Sequence, residues 1–491
     1  MTLSVYNTLS RRQEPFTTVE PGIVKMYCCG VTVYDYCHLG HARSYIVWDT
    51  IRRYLQWRGY QVLYIQNFTD IDDKILNRAK EQGSTMEAVA NRFIDAYFED
   101  IRRLNVTDAD AYPRATEHIP AILELIKALE AKDYAYAVDG DVYYRVERFP
   151  TYGKLFGQEL EQKLAGASGR VDLEDTEGRK KQHPFDFALW KAAKPGEPAW
   201  ESPWGKGRPG WHIECSAMIH QRLGETIDIH GGGRDLIFPH HENEIAQSEA
   251  ASNKPLARYW MHNGMVMVNG QKMSKSLGNF TTIRDLLDKP VDPMAVRLFV
   301  LQAHYRKPLD FTDEAIATAT HSWKTLKEGL LFGEQYGTKL GFTPPFIPPV
   351  YGGDIGGVLD KEIIEKFEVS GDDDFNFTGS LAVLAELAKK LQKEGNVLVH
   401  EGKTETSPTE LQRQWNTLVT LAQVLGLFAK MEVQTPSNGS LSEVEVEEKI
   451  QLRQLARKQR NFAEADRIRD ELQQAGITLI DSREGTRWHR N

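Results

Sequence analysis

Residues Val24 to Val33, VKMYCCGVTV, form one short apolar run that ends in a glycine-containing turn and hands over at once to a helical pattern. Ile46, Val47, Ile51, Tyr54 and Leu55 recur at helical spacing as far as Trp57, and a second strand-like run, Gln61 to Asn67, follows. Strand, helix and strand in immediate succession predict a parallel α/β sheet. Met86, Val89, Phe93, Tyr97, Ile101 and Leu104 then repeat every three or four residues, so an amphipathic helix is expected over about 85–104.

Residues 116–205 read as an insertion. It opens with a helix carrying Ile122, Leu123, Ile126 and Leu129, turns strand- and loop-like with a polar stretch from Glu174 to Gln182, and closes in a Pro/Gly-rich segment, Pro195 to Gly210. A strand from Thr226 to His230 returns the chain to the sheet, followed by Gly231-Gly232-Gly233. Beyond Ser276 the pattern is mainly helical to about Met431, broken by a Gly/Pro-rich loop from Phe342 to Gly357. TPSNGS, Thr435 to Ser440, is the clearest linker. A small module follows, with one or two helices (Leu452, Leu455, Ala456, then Ile468, Leu472) and a hairpin from Ile477 to Trp488.

A chain of 491 residues has room for roughly three domains. It lacks an apolar run long enough to span a bilayer and a signal-peptide pattern at Met1 to Arg12, so a cytoplasmic location is expected. Four cysteines, Cys28, Cys29, Cys37 and Cys215, are too few for a disulfide framework and suit free thiols or metal ligation. The net charge of −9 argues against general nucleic-acid binding but leaves room for a local basic surface.

Two short segments carry the chemistry. His38-Leu39-Gly40-His41 lies where a strand meets a helix, and free N–H groups at a helix start favour anions. Gly40 clears space for a base or phosphate, and both imidazoles can donate to a triphosphate. Lys272-Met273-Ser274-Lys275-Ser276 is flanked by Asn269-Gly270 and Gly278-Asn279, and its lysines can neutralise charge on departing pyrophosphate. Each segment alone is a weak signal; in this order they predict cleavage of ATP between its α- and β-phosphates.

His240 and Glu244 stand four apart in PHHENEIA, with Pro239 suited to the first turn of a helix. That spacing puts both side chains on one face, where they can share a cation; a solvated helix start fits the spacing as well. Cys29 and Cys215 could add two thiolates, and such mixed sets suit zinc. The HExxH arrangement of zinc proteases is missing.

HLGH resembles the HIGH signature, and KMSKS matches the second signature, of class I aminoacyl-tRNA synthetases. YNTL (Tyr6 to Leu9), YCCGVTVYD (Tyr27 to Asp35), NFTDIDDKI (Asn67 to Ile75), GWHIECS (Gly210 to Ser216), DIHGGGRDLIFPHHENE (Asp228 to Glu244) and KMSKSLGNF (Lys272 to Phe280) resemble the cysteinyl-tRNA synthetase family. The resemblance implies a Rossmann-like catalytic domain in two halves, 1–115 and 206–265, with a connective insertion at 116–205. It further implies a stem-contact region with the KMSKS loop at 266–315, a helical bundle at 316–434 and an anticodon-binding module at 441–491. The implied partners are ATP with Mg²⁺, L-cysteine and tRNA(Cys), and the implied assembly is a monomer.

Carried over residue by residue, one zinc ion per chain has Cys29, Cys215, His240 and Glu244 as ligands. Alternate strand residues face opposite sides, so Cys28 and Cys29 cannot share a metal; the family's cysteine directly precedes the glycine, which selects Cys29. His38, His41, Lys272 and Lys275 are the implied catalytic residues. His38, Gly40, His41, His230 and Lys275 are the implied ATP site, with Asp228 a weaker candidate, and Thr69 and Trp211 contact the amino acid. Zinc would separate a thiol from a hydroxyl, provided that a four-ligand site can admit a fifth donor or loosen Glu244.

Lys449 to Asn491 holds ten Lys/Arg against six Asp/Glu, with Arg453, Arg457, Lys458 and Arg460 grouped and Trp488 beside Arg487 and Arg490; unpaired bases are read by such stacking and charge. A ligase that passes cysteine to an amino sugar is the nearest rival, and residues 441–491 argue against it. A zinc hydrolase would leave KMSKS unexplained, and a non-catalytic binding module would leave the intact signatures unexplained.

Overall fold

The computed structural model describes residues 2–157, 180–273, 278–342, 358–431, 443–482 and 485–490. The expected linker Thr435 to Ser440 and the KMSKS residues Ser274, Lys275 and Ser276 lie outside them.

A hairpin of β1 (Ser4–Asn7) and β2 (Arg12–Pro15) precedes the central sheet. That sheet holds β3 (Ile23–Thr32), β4 (Gln61–Thr69), β9 (Ile227–Gly233) and β10 (Ala257–Asn263), all parallel, in the order β10-β9-β3-β4. β3 is buried on both faces through its centre, as expected of a parallel strand covered on both sides. The expected helices occur at Leu39–Trp57 and Met86–Arg103. From β3 the chain crosses to β4 on one side and returns to β9 on the other. The gap between β3 and β9 is thus a topological switch point, where ligands of such sheets bind beyond the strands' C-terminal ends.

The chain between β4 and β9 contributes the helix Ile119–Ala131 and an antiparallel sheet of β5 (Ala135–Val138), β6 (Asp141–Tyr144), β7 (Phe187–Ala192) and β8 (Gly207–Pro209). After β10, the strands β11 (Val266–Val268), β12 (Gln271–Lys272) and β13 (Leu309–Phe311) form a small sheet that carries the root of the KMSKS loop. Long helices follow, among them Asp313–Leu340, Phe377–His400 and Pro408–Val424. Among the described residues no helix is long and apolar enough to cross a membrane.

The last module joins the helices Glu443–Lys458 and Phe462–Gln474 to a hairpin of β14 (Ile477–Ser482) and β15 (Gly485–Arg490). It has a core of its own: Val446, Ile450, Ile468, Leu472, Ile477 and Leu479. The grouping of basic residues needs correction. Arg453 faces inward and is buried, whereas Arg457, Lys458 and Arg460 are exposed. Trp488 packs partly buried against the module's core.

Candidate metal centre and nucleotide site

The HLGH segment contacts the chain on both sides of the KMSKS loop. His38 and Thr282 pair as an antiparallel bridge. Leu39 N–H donates to Thr281 O at 3.2 Å, and Ile283 N–H donates to Cys37 O at 2.9 Å. These bonds anchor the chain just after KMSKS. Just before it, Arg43 of the signature helix is buried and donates to Met265 O at 2.8 Å, to Tyr305 O at 3.1 Å and to Lys307 O. Both roots of the loop therefore hang on the HLGH helix. The backbone of Lys272 ends β12; its side chain, like all of Lys275, lies outside the described part of the chain.

His38 caps that helix. Its Nδ1 accepts Gly40 N–H at 3.0 Å, and His41 Nδ1 accepts His38 N–H at 3.2 Å. Both Nδ1 atoms being acceptors, a neutral ring carries its proton on Nε2. Burial and the neighbouring His38 hold the pKa of His41 well below the usual histidine range, so His41 stays neutral. Gly40 also serves the fold: a Cβ there would come within 2.7 Å of His38's own ring. Glycine lets the two imidazoles stack, whatever it also leaves for a ligand.

Cys29 on β3, Cys215 on the helix Trp211–Leu223, His240, and Glu244 on the helix Glu242–Ser252 offer ligand atoms that all lie within 4.8 Å of one another. Tetrahedral zinc with two Zn–S bonds of about 2.3 Å sets its sulfurs ~3.8 Å apart. The sulfurs of Cys29 and Cys215 are 3.9 Å apart, so the donor set fits that ion. His240 Nε2 lies 2.9 Å from Glu244 Oε1, and His240 Nδ1 lies 2.9 Å from His212 Nδ1. Such an outer partner fixes a ligand's tautomer and aim. Pro239 does not open the helix: Phe238 breaks the helical path, and the α-helix begins at Glu242. Cys28 turns the other way into the core, with its thiol pushed up by burial.

The charges in this cluster depend on each other. The hydrogen bond from Cys29, then His240, draws the Cys215 thiol down to about 6 against burial. Burial and that neighbouring thiolate push Cys29 up. Burial would raise Glu244, yet His230 and His240 hold its carboxyl well below the usual range.

A second donor set shares two members: Cys29, His230, His241 and Glu244. His230, expected at the adenylate, is fully buried, and its Nε2 lies 2.8 Å from Glu244 Oε2. Asp228 is committed elsewhere, accepting Val19 N–H at 2.6 Å and Lys25 N–H at 2.8 Å. Trp211 stacks on His240 at 4.3 Å between ring centroids and remains 40% exposed at the mouth. Thr69, at the end of β4, donates its hydroxyl to Glu214 at 3.1 Å. Glu214 and His241 were missed by sequence reasoning. Glu214 sits inside GWHIECS, beside a cysteine that drew all the attention, and HH offers no local sign of which histidine faces the sulfur.

The family tRNA synthetases class I (C) catalytic domain matches residues 15–321, and the DALR domain matches residues 366–429. The chain is 74% identical to the cysteine–tRNA ligase of Nostoc sp. and 65% identical to that of Rippkaea orientalis, each over 100% of both chains. Among solved structures it shares its fold with Mycobacterium tuberculosis methionyl-tRNA synthetase in complex with methionyl-adenylate (TM-score 0.54, 18% identity, 82% of this chain and 89% of that one). The ternary complex of Agrobacterium radiobacter K84 agnB2 LeuRS-tRNA-LeuAMS is similar in the same way (TM-score 0.55, 13% identity, 84% of this chain and 85% of that one). Full-length identity of this order, with the catalytic-domain family matched over residues 15–321, places the chain among the class I tRNA synthetases, in the cysteine–tRNA ligase family.

Proposed function

We infer that this chain activates L-cysteine with ATP and Mg²⁺ and transfers it to the 3′ end of tRNA(Cys). The observation that carries the reading is the junction of HLGH with both roots of the KMSKS loop, beside a cluster suited to a thiol. Cys29, Cys215, His240 and Glu244 would hold one zinc ion. That ion, when bound, supplies affinity for a substrate thiolate and little for the hydroxyl of serine. Trp211 and Thr69 line the amino-acid pocket, and Glu214 holds the Thr69 hydroxyl so that its oxygen faces the substrate as an acceptor.

The cysteine carboxylate attacks the α-phosphorus, the bond to the bridging oxygen breaks, and pyrophosphate leaves. His38 and His41 donate from Nε2 to the phosphates, and Lys272 and Lys275 neutralise the charge that builds on the leaving group. His230, the remaining candidate at the adenylate, also orders Glu244, whose Oε2 lies 2.8 Å from its Nε2. The ribose hydroxyl of the tRNA terminus then takes the cysteinyl group and AMP departs. The helices beyond Asp310 brace the tRNA, and the module at 441–491 reads the anticodon.

The test is ATP-dependent attachment of labelled cysteine to tRNA, with serine as control. Cysteine charging without serine charging is expected. Adenylate formation without charging would transfer the reading to a ligase acting on an amino sugar, and absence of both products would overturn it.

A further inference from the structure

We propose that Cys29 is held in the metal centre by a one-way hydrogen-bond chain, Thr8 to His262 to His241 to Cys29, in which His241 is a positioning residue that donates to the sulfur and is not itself a ligand. The proposal rests on the reading of Cys29 as a zinc ligand.

The links are short, and the middle one is buried. Thr8 Oγ1 lies 2.8 Å from His262 Nδ1, His262 Nε2 lies 2.8 Å from His241 Nδ1, and His241 Nε2 lies 3.4 Å from Cys29 Sγ. His241 and His262 are both buried. A ligating sulfur is a thiolate and has no proton to give. A neutral imidazole has one N–H, so His241 must place it on Nε2, toward the sulfur. Its Nδ1 is then bare and accepts from His262 Nε2–H, whose own Nδ1 accepts from the Thr8 hydroxyl. Reversing any link would point a bare nitrogen at the lone pairs of the thiolate.

The fold holds the chain in place. His262 on β10 is the register partner of Gly232 on β9. A Cβ on Gly232 would come within 2.7 Å of His241 Cε1 and 3.0 Å of its Nε2. The middle glycine of the triplet is therefore the seat of this ring, and Trp260 packs near it with its ring centroid 5.4 Å away. Thr8 is fixed by its own N–H, which donates to Trp260 O at 2.8 Å. The YNTL segment thereby closes the far end of the hydrogen-bond chain.

His241 also belongs to the alternative donor set with His230. That set has a single sulfur and leaves Cys215 a buried thiol beside the ion; the set with His240 has two, which zinc prefers. The hydrogen bond fixes the aim of the Cys29 sulfur, as an outer partner does for a metal ligand.

The experiment measures zinc affinity by competition with a chromogenic chelator, and the visible spectrum of Co²⁺-substituted protein, in the full chain. His241→Leu is expected to weaken zinc by ~10- to 100-fold while the cobalt bands keep the position and sulfur charge-transfer intensity of a two-thiolate site. His241→Gln, which can still donate, should recover most of the loss. Thr8→Val, which touches no ligand, should weaken zinc by about 5-fold and have no effect in the His241→Leu background. Shifted cobalt bands in His241→Leu would make His241 a ligand. Unchanged affinity in His241→Leu, or equal Thr8→Val effects in both backgrounds, would remove the chain. Cys29→Ala separates the two readings: zinc retained at full affinity overturns the ligand assignment itself, whereas zinc lost there but indifferent to His241→Leu overturns only the chain.

Discussion

The imidazoles of His38 and His41 stack face to face, 3.8 Å between centroids and 16° from parallel, each accepting a backbone N–H on Nδ1. Capping therefore occupies Nδ1, and the phosphate contact proposed above uses Nε2 of the same ring. Asparagine is a good N-cap but is too short to reach where Nε2 reaches. His38→Asn should keep the melting temperature close to wild type and lower the rate of ATP–pyrophosphate exchange by about 10²-fold. Equal losses of stability and rate would mean that capping is the whole role.

Removal of metal should abolish cysteine-dependent pyrophosphate exchange and leave the far-UV circular dichroism unchanged. The central sheet is built on apolar strands and helices that do not need the ion. Activity should return with added zinc. Collapse of the secondary structure on chelation would identify a purely structural site.

Trp211 covers one face of His240 and stays open to solvent on the other. Trp211→Ala should raise the KM for cysteine by about 10-fold with the KM for ATP unchanged, and Trp211→Phe should recover most of it. Steady-state kinetics with each substrate varied in turn will show this; a matched rise in both constants would point to general disorder of the pocket.

Asp49 of the signature helix is bonded to Arg53 at 2.8 Å and to Arg297 at 2.5 Å, with both Asp49 and Arg297 buried. Burial alone would raise the Asp49 carboxyl, but Arg53 and Arg297 outweigh it and lower the value. A depressed native pKa stabilises the fold fully above the ordinary aspartate value of about 3.9 and loses that contribution as pH falls through the lower native value. Asp49→Asn strands Arg297 and should cost about 3–5 kcal/mol at pH 7. Urea denaturation should show the gap to wild type narrowing below about pH 4; a gap constant down to pH 2 would contradict the assignment.

The terminal module has its own core. A chain ending at residue 431 should therefore fold, retain pyrophosphate exchange within about 2-fold, and lose more than about 10-fold in kcat/KM for tRNA. Charging that survives the truncation would place tRNA selection elsewhere.

Periodicity and alternation made the α/β sheet, the signature helix and the terminal hairpin legible in the sequence. Those patterns arise from neighbours within a few residues, and the strands and helices fell within a few residues of where they were expected. The two nucleotide signatures and the residue types of a zinc site were legible too, because their chemistry is written in short segments. Pro239 and Arg453 read wrongly for one reason: whether a polar or special residue serves a ligand or the fold depends on what lies opposite it.

By itself the sequence determined the sheet, its order of strand and helix, and the inventory of thiols, imidazoles and carboxylates. Only the tertiary structure decided that the loop roots hang on Arg43 and His38. It alone decided that Thr69 leans on Glu214, and that Gly232 seats His241 between Cys29 and His262. These are relations between strands and helices far apart in the chain, set by register across the sheet and by close packing, and no local pattern of residues records them.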